Sequence, residues 1–244
     1  MLVTGAAGSI GSQVVTALQH DGAFVLATDI VDCDKQLDVT DDAAVRNYVR
    51  ATRPDVILHL AGAKHAPDGE LDPQETFRVN TLGTANILRY GHRVVLASTC
   101  KACDPETVYG ASKLIAERMV LNTAGVVVRY YNVRESAGNV FRLWETLPAS
   151  VPVPYTNCWR YFITLDQAVR LTIDAIGFPT GRYAVDPGKA SHMKVEARIL
   201  YPGRRLKLIE PRRGDRFREP LTANAERWEP FRGYRRIYGP HDPQ

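Results

Sequence analysis

The sequence predicts an α/β fold, a doubly wound parallel sheet followed by a small, loop-rich C-terminal lobe. Three observations carry this. Short continuous apolar runs alternate with helical patterns through the first half of the chain, as in a parallel sheet covered on both faces. A glycine-rich loop follows the first run directly and opens the first helix. Near Asn132 the alternation breaks, and Pro148, Pro152, Pro154, Pro179, Pro187, Pro202 and Pro211 then fall among short elements. The expected division is a Rossmann-type core over 1–131 and a mainly substrate-binding lobe over 132–244, with some of its segments returning to the core.

Taken in order, residues 2–5 read as the first strand, and the helix after the glycine loop runs to about His20. Residues 24–29 form a second strand ending in an acid. A helix fits 41–52, with Thr40 or Asp41 as its N-cap, and Pro54 stops it. The run 55–60 is a third, buried strand. One helix is expected over about 73–90, then a strand over 93–97, a polar loop, a helix from about Tyr109 to Asn122, and a strand over 125–130.

The composition suits a packed globular chain: 244 residues, 45% hydrophobic and 24% charged, with mean hydropathy −0.23. That excludes disordered, collagen-like and disulfide-scaffold classes. No apolar run approaches the roughly 18–20 residues that span a bilayer. The first residues enter structure at once with no secretory leader pattern, and four cysteines fit a reducing compartment, so a cytoplasmic protein is expected. Arginine outnumbers lysine 24 to 7, and from Arg198 to Arg236 twelve basic residues face five acidic ones. Such a stripe suits nucleic acid, a membrane surface, a phosphorylated small molecule, or a merely solvated face.

The glycine loop reads Gly5-Ala6-Ala7-Gly8-Ser9-Ile10-Gly11. Gly5 allows the tight turn, Gly8 a close approach of backbone to a pyrophosphate, and Gly11 close packing of helix on strand, while the helix N-terminus offers N–H groups to the anion. Asp29, ending the second strand, suits both hydroxyls of an adenine ribose and repels a 2′-phosphate. No arginine stands at 30–34, so the expected cofactor is NAD and not NADP. Asp38 and Val39 suit an adenine contact, or equally a helix N-cap region.

Residues 98–113 hold Ser98, Thr99, Cys100 and Lys101, then Tyr109 and Lys113. Tyr109 and Lys113 are four apart and share one helix face. An ammonium there lowers a phenol towards working pH, and such a tyrosine takes the proton of a substrate hydroxyl as hydride leaves. Cys100 and Cys103 also form a C-x-x-C pair, open to a redox role, but no second metal-ligand pair follows and no metal is expected. His59, within a buried strand pattern, reads as packed and not catalytic.

With these motifs in place, the chain resembles extended short-chain dehydrogenases/reductases of the nucleotide-sugar branch. More narrowly it resembles the polysaccharide-biosynthesis group of inverting UDP-N-acetylglucosamine 4,6-dehydratases. That group's pattern is S-T-D-K-A, then Y/M-G-A-S/T-K, with the acid–base pair eight or nine residues before the tyrosine, as Lys101 and Cys100 are here. Ala61-Gly62-Ala63-Lys64-His65 resembles its A-A-x-K-H stretch, and the segment around Asn80 its N-x-x-G-T. Residues 129–133, with Asn132, resemble R-x-G-N-V. Residues 156–169, with Arg160, and Arg212-Arg213-Gly214-Asp215-Arg216 resemble segments near the nucleotide diphosphate.

The resemblance implies a catalytic set of Thr99, Cys100, Lys101, Tyr109 and Lys113. It implies cofactor contacts from Leu60, Ala61, Gly62, Lys64 and Asn80 besides the glycine loop, and substrate contacts from Lys64, His65, Asn132, Arg160, Arg213 and Asp215. The expected reaction oxidises carbon 4 of the sugar, with Tyr109 taking the hydroxyl proton. Lys101 then removes the carbon 5 hydrogen, and Cys100, standing where the group has aspartate, protonates the departing 6-hydroxyl. A 4-epimerase or sugar dehydrogenase with Cys100 idle, and a cofactor-binding regulator without turnover, are the alternatives. The partner expected is a nucleotide sugar, with neither nucleic acid nor membrane. The chain is shorter than the group's, at helices that often form its dimer interface, so a homo-oligomer is only one possibility.

Overall fold

The computed structural model describes residues 1–242. Its first half is β1 (Leu2–Thr4), α1 (Ser9–His20), β2 (Leu26–Asp29), β3 (Lys35–Gln36), α2 (Asp42–Thr52), β4 (Ile57–His59), α3 (Ala66–Leu71) and α4 (Pro73–Phe77). There follow α5 (Gly83–Tyr90), β5 (Val94–Thr99), α6 (Val108–Leu121), β6 (Val126–Tyr130) and β7 (Asn132–Val133). The second half holds α7 (Val140–Glu145), β8 (Val153–Tyr155), β9 (Trp159–Arg160), β10 (Phe162–Ile163), α8 (Leu165–Asp174), β11 (Gly181–Ala184) and β12 (Ser191–His192). It closes with α9 (Met193–Leu200), β13 (Leu206–Leu208), β14 (Arg227–Phe231) and β15 (Tyr234–Tyr238).

Nine strands form one sheet in the order β14-β15-β11-β6-β5-β4-β1-β2-β3. The order reverses between β1 and β4, where Leu2 pairs with Leu26 on one side and Ile57 on the other. That switch point opens a crevice beyond the C-terminal ends of the strands. Alternate residues face opposite layers. Val3, Leu58 and Val95 pack in one core cluster with Val14 and Leu18 of α1, and Leu2, Ile57 and Val94 in another with Val45, Val49 and Ile87. This two-sided burial is why the strands read as unbroken apolar runs.

The lobe has its own small core around Phe141, Trp144, Val153, Cys158 and Met193, where the Trp144 indole donates to the Pro154 carbonyl at 2.7 Å. Yet the second half also returns β11, β15 and β14 to the sheet, with β15 antiparallel to β11. Among the described residues no helix is long and apolar enough to cross a membrane.

Local signals explain the helix ends. Asp41 caps α2 by accepting from the Ala44 N–H at 3.0 Å, and Arg53 ends it in the left-handed region just before Pro54. Thr164 and Gln167 form a capping box at α8. The single helix expected over 73–90 is instead α4 and α5 joined by a π-turn over Arg78–Leu82, and α3 precedes it. Apolar periodicity does not register one extra residue per turn, so the bulge was invisible to it.

Candidate active site

A cavity of about 910 Å³ lies at the switch point. All the residues expected at the site open on it except Asn80, Cys100 and Arg213.

At one end the chain turns sharply at Gly5 (φ 71°), where a Cβ would stand 2.5 Å from the Ala61 nitrogen, and a Cβ on Gly11 would stand 2.1 Å from the Gly5 oxygen. Only glycine permits this approach of strand, loop and helix. Helix α1 begins after Gly8 with no side-chain cap, so its first N–H groups face the cavity ready for an anion. The Asp29 carboxylate is held there by the Ala7 N–H at 2.9 Å and the Ile30 N–H at 2.7 Å. Asp38 opens on the same end, where its Oδ1 accepts from the Thr40 N–H at 2.8 Å. It thus fixes the turn ahead of α2, whose cap is Asp41, and stands on the cavity wall. Across the mouth, Ser9 Oγ accepts from the Ala137 N–H at 2.9 Å.

Asn80 sits in the π-turn, wholly buried behind the wall. Its amide donates to the Ala63 carbonyl and to Ser112 Oγ, each at 3.0 Å, while its Oδ1 has no partner. A Cβ on Gly62 would meet that oxygen at 2.8 Å and Lys113 Nζ at 3.0 Å, so the two polar groups converge behind Gly62. Asn80 therefore braces the site from beneath and does not line it.

The centre of the cavity is built by β5 and the first turn of α6. Thr107 caps α6, accepting from the Gly110 N–H at 3.0 Å, which sets Tyr109 and Lys113 on the cavity side. Lys113 donates to the Ala97 carbonyl at 3.1 Å, and burial pulls it down to about 8. Burial raises the Tyr109 phenol above its ordinary value, opposed by the Lys101 ammonium and a hydrogen bond with Thr99. The cation facing the phenol is thus Lys101, where the i, i+4 spacing had pointed to Lys113. His59 is packed as expected, bonded to Thr4 Oγ1 at 2.7 Å and Thr84 Oγ1 at 3.2 Å, and burial lowers it to about 3.

Besides Asn80, three side chains depart from expectation. Cys100 is 1% exposed, and its thiol points behind the cavity wall, where it donates to Glu219 Oε2 at 3.6 Å. Burial pushes this thiol far above its ordinary value. Its backbone enters a 3₁₀ turn at Cys100–Ala102, which turns residue 100 inward and residue 101 outward. Arg213 is 71% exposed and 3.9 Å from Glu70, whereas its neighbour Arg212 lines the cavity. Arg129, in the segment resembling R-x-G-N-V, is also turned away. It lies in a buried ion network with Glu117 and Glu226.

Sequence reading missed Glu219. It is 2% exposed yet opens on the cavity, with Oε1 2.6 Å from Lys101 Nζ and 3.5 Å from Arg160 Nε. Asn132 Nδ2 donates to Oε2 at 2.7 Å. Burial alone would raise this carboxyl, but Lys101 and Arg160 hold it down at about 2. The one available signal was its place three residues past Arg216, just beyond the segment already set near the substrate.

The family profile described as "Polysaccharide biosynthesis protein" matches residues 26–235. The fold and site thus define a Rossmann-type protein of the short-chain dehydrogenase/reductase kind, and the chain belongs to the polysaccharide biosynthesis protein family. It is 31% identical over 226 residues to the probable polysaccharide biosynthesis protein EpsC of Bacillus subtilis (strain 168), a match covering 78% of this chain and 38% of EpsC. The chain therefore spans well under half the length of that relative. It is 26% identical to a UDP-N-acetylglucosamine 4,6-dehydratase (inverting) of Campylobacter jejuni subsp. jejuni serotype O:2, over 93% of this chain and 78% of the other. The solved UDP-glucose 4-epimerase of Thermus thermophilus, in complex with NAD, superposes with a TM-score of 0.79. That match has 24% identity and covers 91% of this chain and 89% of the other.

Proposed function

We propose that the chain is an NAD-dependent enzyme that removes water from a nucleotide sugar, a UDP-N-acetylhexosamine, by 4,6-dehydration. The observation that carries this reading is that Tyr109 and Lys101 open on one cavity. Oxidation at one carbon needs one proton acceptor, and elimination at the next needs a second proton-transfer group beside it.

The residues present fit NAD. The uncapped start of α1 suits its pyrophosphate, and Asp29 its adenine ribose. Lys113, beside the orphaned Asn80 oxygen, suits the second ribose. Bound there, NAD supplies the acceptance of hydride from carbon 4 and its return at carbon 6. Tyr109 takes the proton of the 4-hydroxyl. Lys101, 2.6 Å from Glu219, moves a proton during the elimination. Arg160 and Arg212, with Asp215 between them, orient the diphosphate by charge-assisted bonds.

A second reading, a 4-epimerase, is favoured by the burial of Cys100, because epimerisation needs Tyr109 and Lys113 but no acid at position 100. The test is mass spectrometry after incubation with UDP-N-acetylglucosamine, UDP-N-acetylgalactosamine and UDP-glucose. Loss of one water from an N-acetylated sugar supports dehydration. An isomer of unchanged mass, separated from the substrate by chromatography before the mass is read, supports the epimerase instead.

A further inference from the structure

We propose that Glu219, brought in from the C-terminal lobe, is the catalytic carboxylate of the elimination: it takes the proton from carbon 5 while Lys101 protonates the departing 6-hydroxyl. The inference rests on the dehydratase reading above and reverses the role the sequence suggested for Lys101.

Lys101 Nζ and Glu219 Oε1 are 2.6 Å apart, and the Lys101 side chain is 22% exposed. Burial alone would lower the lysine, but Glu219 at 2.6 Å outweighs it and holds Lys101 in the ammonium form. Lys101 therefore rests with a proton to give and no lone pair to take one. Glu219 rests ionised, with a lone pair and no proton. Cys100 offers neither function to a substrate, since its thiol lies off the cavity and stays protonated.

The two oxygens of Glu219 are unequally held. Oε2 is bonded by Asn132 at 2.7 Å and faces the Cys100 thiol. Oε1 has Lys101 as its close partner, with Arg160 at 3.5 Å. When the Lys101 proton leaves, Oε1 loses its strongest cation and becomes more basic, so the two transfers favour one another.

The step balances. Glu219 takes the carbon 5 proton, and the C5–H electron pair becomes the C5=C6 bond. The C6–O bond breaks, and the oxygen leaves as water with the Lys101 proton. The Glu219 proton then returns to carbon 5 as the hydride taken at carbon 4 is delivered to carbon 6. The proton that Tyr109 removed from the 4-hydroxyl passes to Lys101, which restores the resting ammonium–carboxylate pair.

The experiment follows the wild-type protein and Glu219→Gln, Cys100→Ala and Cys100→Asp/Glu219→Gln, with NAD and UDP-N-acetylglucosamine. Water loss is read by mass spectrometry, and oxidation at carbon 4 by NADH absorbance in a single turnover. Glu219→Gln is expected to lose water at least ~100-fold more slowly, the usual scale of general acid–base catalysis, while NADH still forms. Cys100→Ala is expected to lose less than about tenfold in water release, because the thiol transfers no proton. The double variant returns a carboxylate to within reach of Lys101, from the place of a thiol 3.6 Å from Glu219, and is expected to recover part of the dehydration. That recovery separates chemistry from a folding defect in the single variant.

Dehydration by Glu219→Gln at near wild-type rate overturns the role of Glu219 and leaves the dehydratase reading standing. So does loss of dehydration in Cys100→Ala with Glu219 intact. Failure of the wild-type protein to release water from this sugar or its galacto epimer overturns the dehydratase reading and the role of Glu219 within it.

Discussion

Replacing Glu117 with Gln is expected to cost this protein a large part of its stability. Glu117 lies on α6, wholly buried beneath the strand that carries Thr99. Its oxygens accept from Arg129 Nε and Nη2 at 2.7 Å each, from Arg182 Nε at 2.9 Å and from Ser98 Oγ at 2.6 Å. Both arginines are themselves buried, at 1% and 0%. Burial alone would raise the Glu117 carboxyl, but the two guanidiniums outweigh it and hold it below the ordinary range. Gln keeps the shape but removes the charge and turns an NH₂ towards a cation.

Glu226 and Asp242 remain to pair with the arginines, so the loss is of one partner in a network. Removing one partner of a buried pair costs about 3–5 kcal/mol. For a domain of this size each kcal/mol shifts Tm by about 2–4 °C, so the melt should fall by roughly 6–20 °C. Calorimetry with wild-type and Glu117→Gln protein measures this, with Asp166→Asn as the control. Asp166 pairs with Arg170 on the surface, both largely exposed, and exposed pairs contribute little. A Glu117→Gln melt within about 2 °C of wild type, the scale of a surface pair, would mean that the buried network does not hold the fold together.

Arg212→Ala should weaken UDP binding about 10- to 150-fold in calorimetry, the equivalent of one charge-assisted bond, while the outward-facing Arg213→Ala should leave it nearly unchanged; the reverse order would mean that the 212–216 loop rearranges on binding. Asp29→Ser should reduce the preference for NAD over NADP by about tenfold or more, since it removes a charged acceptor and its repulsion of a 2′-phosphate; an unchanged ratio of the two affinities sinks the assignment. Acid should destabilise the fold in two windows, followed by Tm across a pH series. His59 is held neutral down to about 3 against an ordinary 6.5, so the unfolded chain binds its proton first and stability falls as pH drops below about 6.5. Glu219, held at about 2 against an ordinary 4.5, contributes stability that is complete above about 4.5 and lost as pH falls through that range. A Tm flat between pH 7 and 4.5 would contradict the His59 assignment, and one flat from about 4.5 down to about 2 would contradict that of Glu219.

Features decided by near neighbours in the chain were legible in the residues alone. The unbroken apolar runs reflect strands covered on both faces, so β1, β4, β5 and β6 could be read from residues a few positions apart. Gly5 and Gly11 announce a turn that no side chain permits, and Asp29 follows from where β2 must end. The i, i+4 spacing of Tyr109 and Lys113 is a property of any helix, so their shared face was legible before any tertiary contact was known.

The remainder waited on the folded chain, because it depends on the rotation of single residues and on contacts across long stretches of sequence. The 3₁₀ turn at Cys100–Ala102 sends Lys101 to the cavity and Cys100 behind it, a distinction invisible in two adjacent letters. The π-turn that buries Asn80 adds one residue to a helical turn without disturbing the apolar pattern. Glu219 meets Cys100 across 119 positions, because the chain of the C-terminal lobe folds back over the ends of β5 and β6. No local spacing encodes that closure, and it is the closure that sets an ionised carboxylate against Lys101.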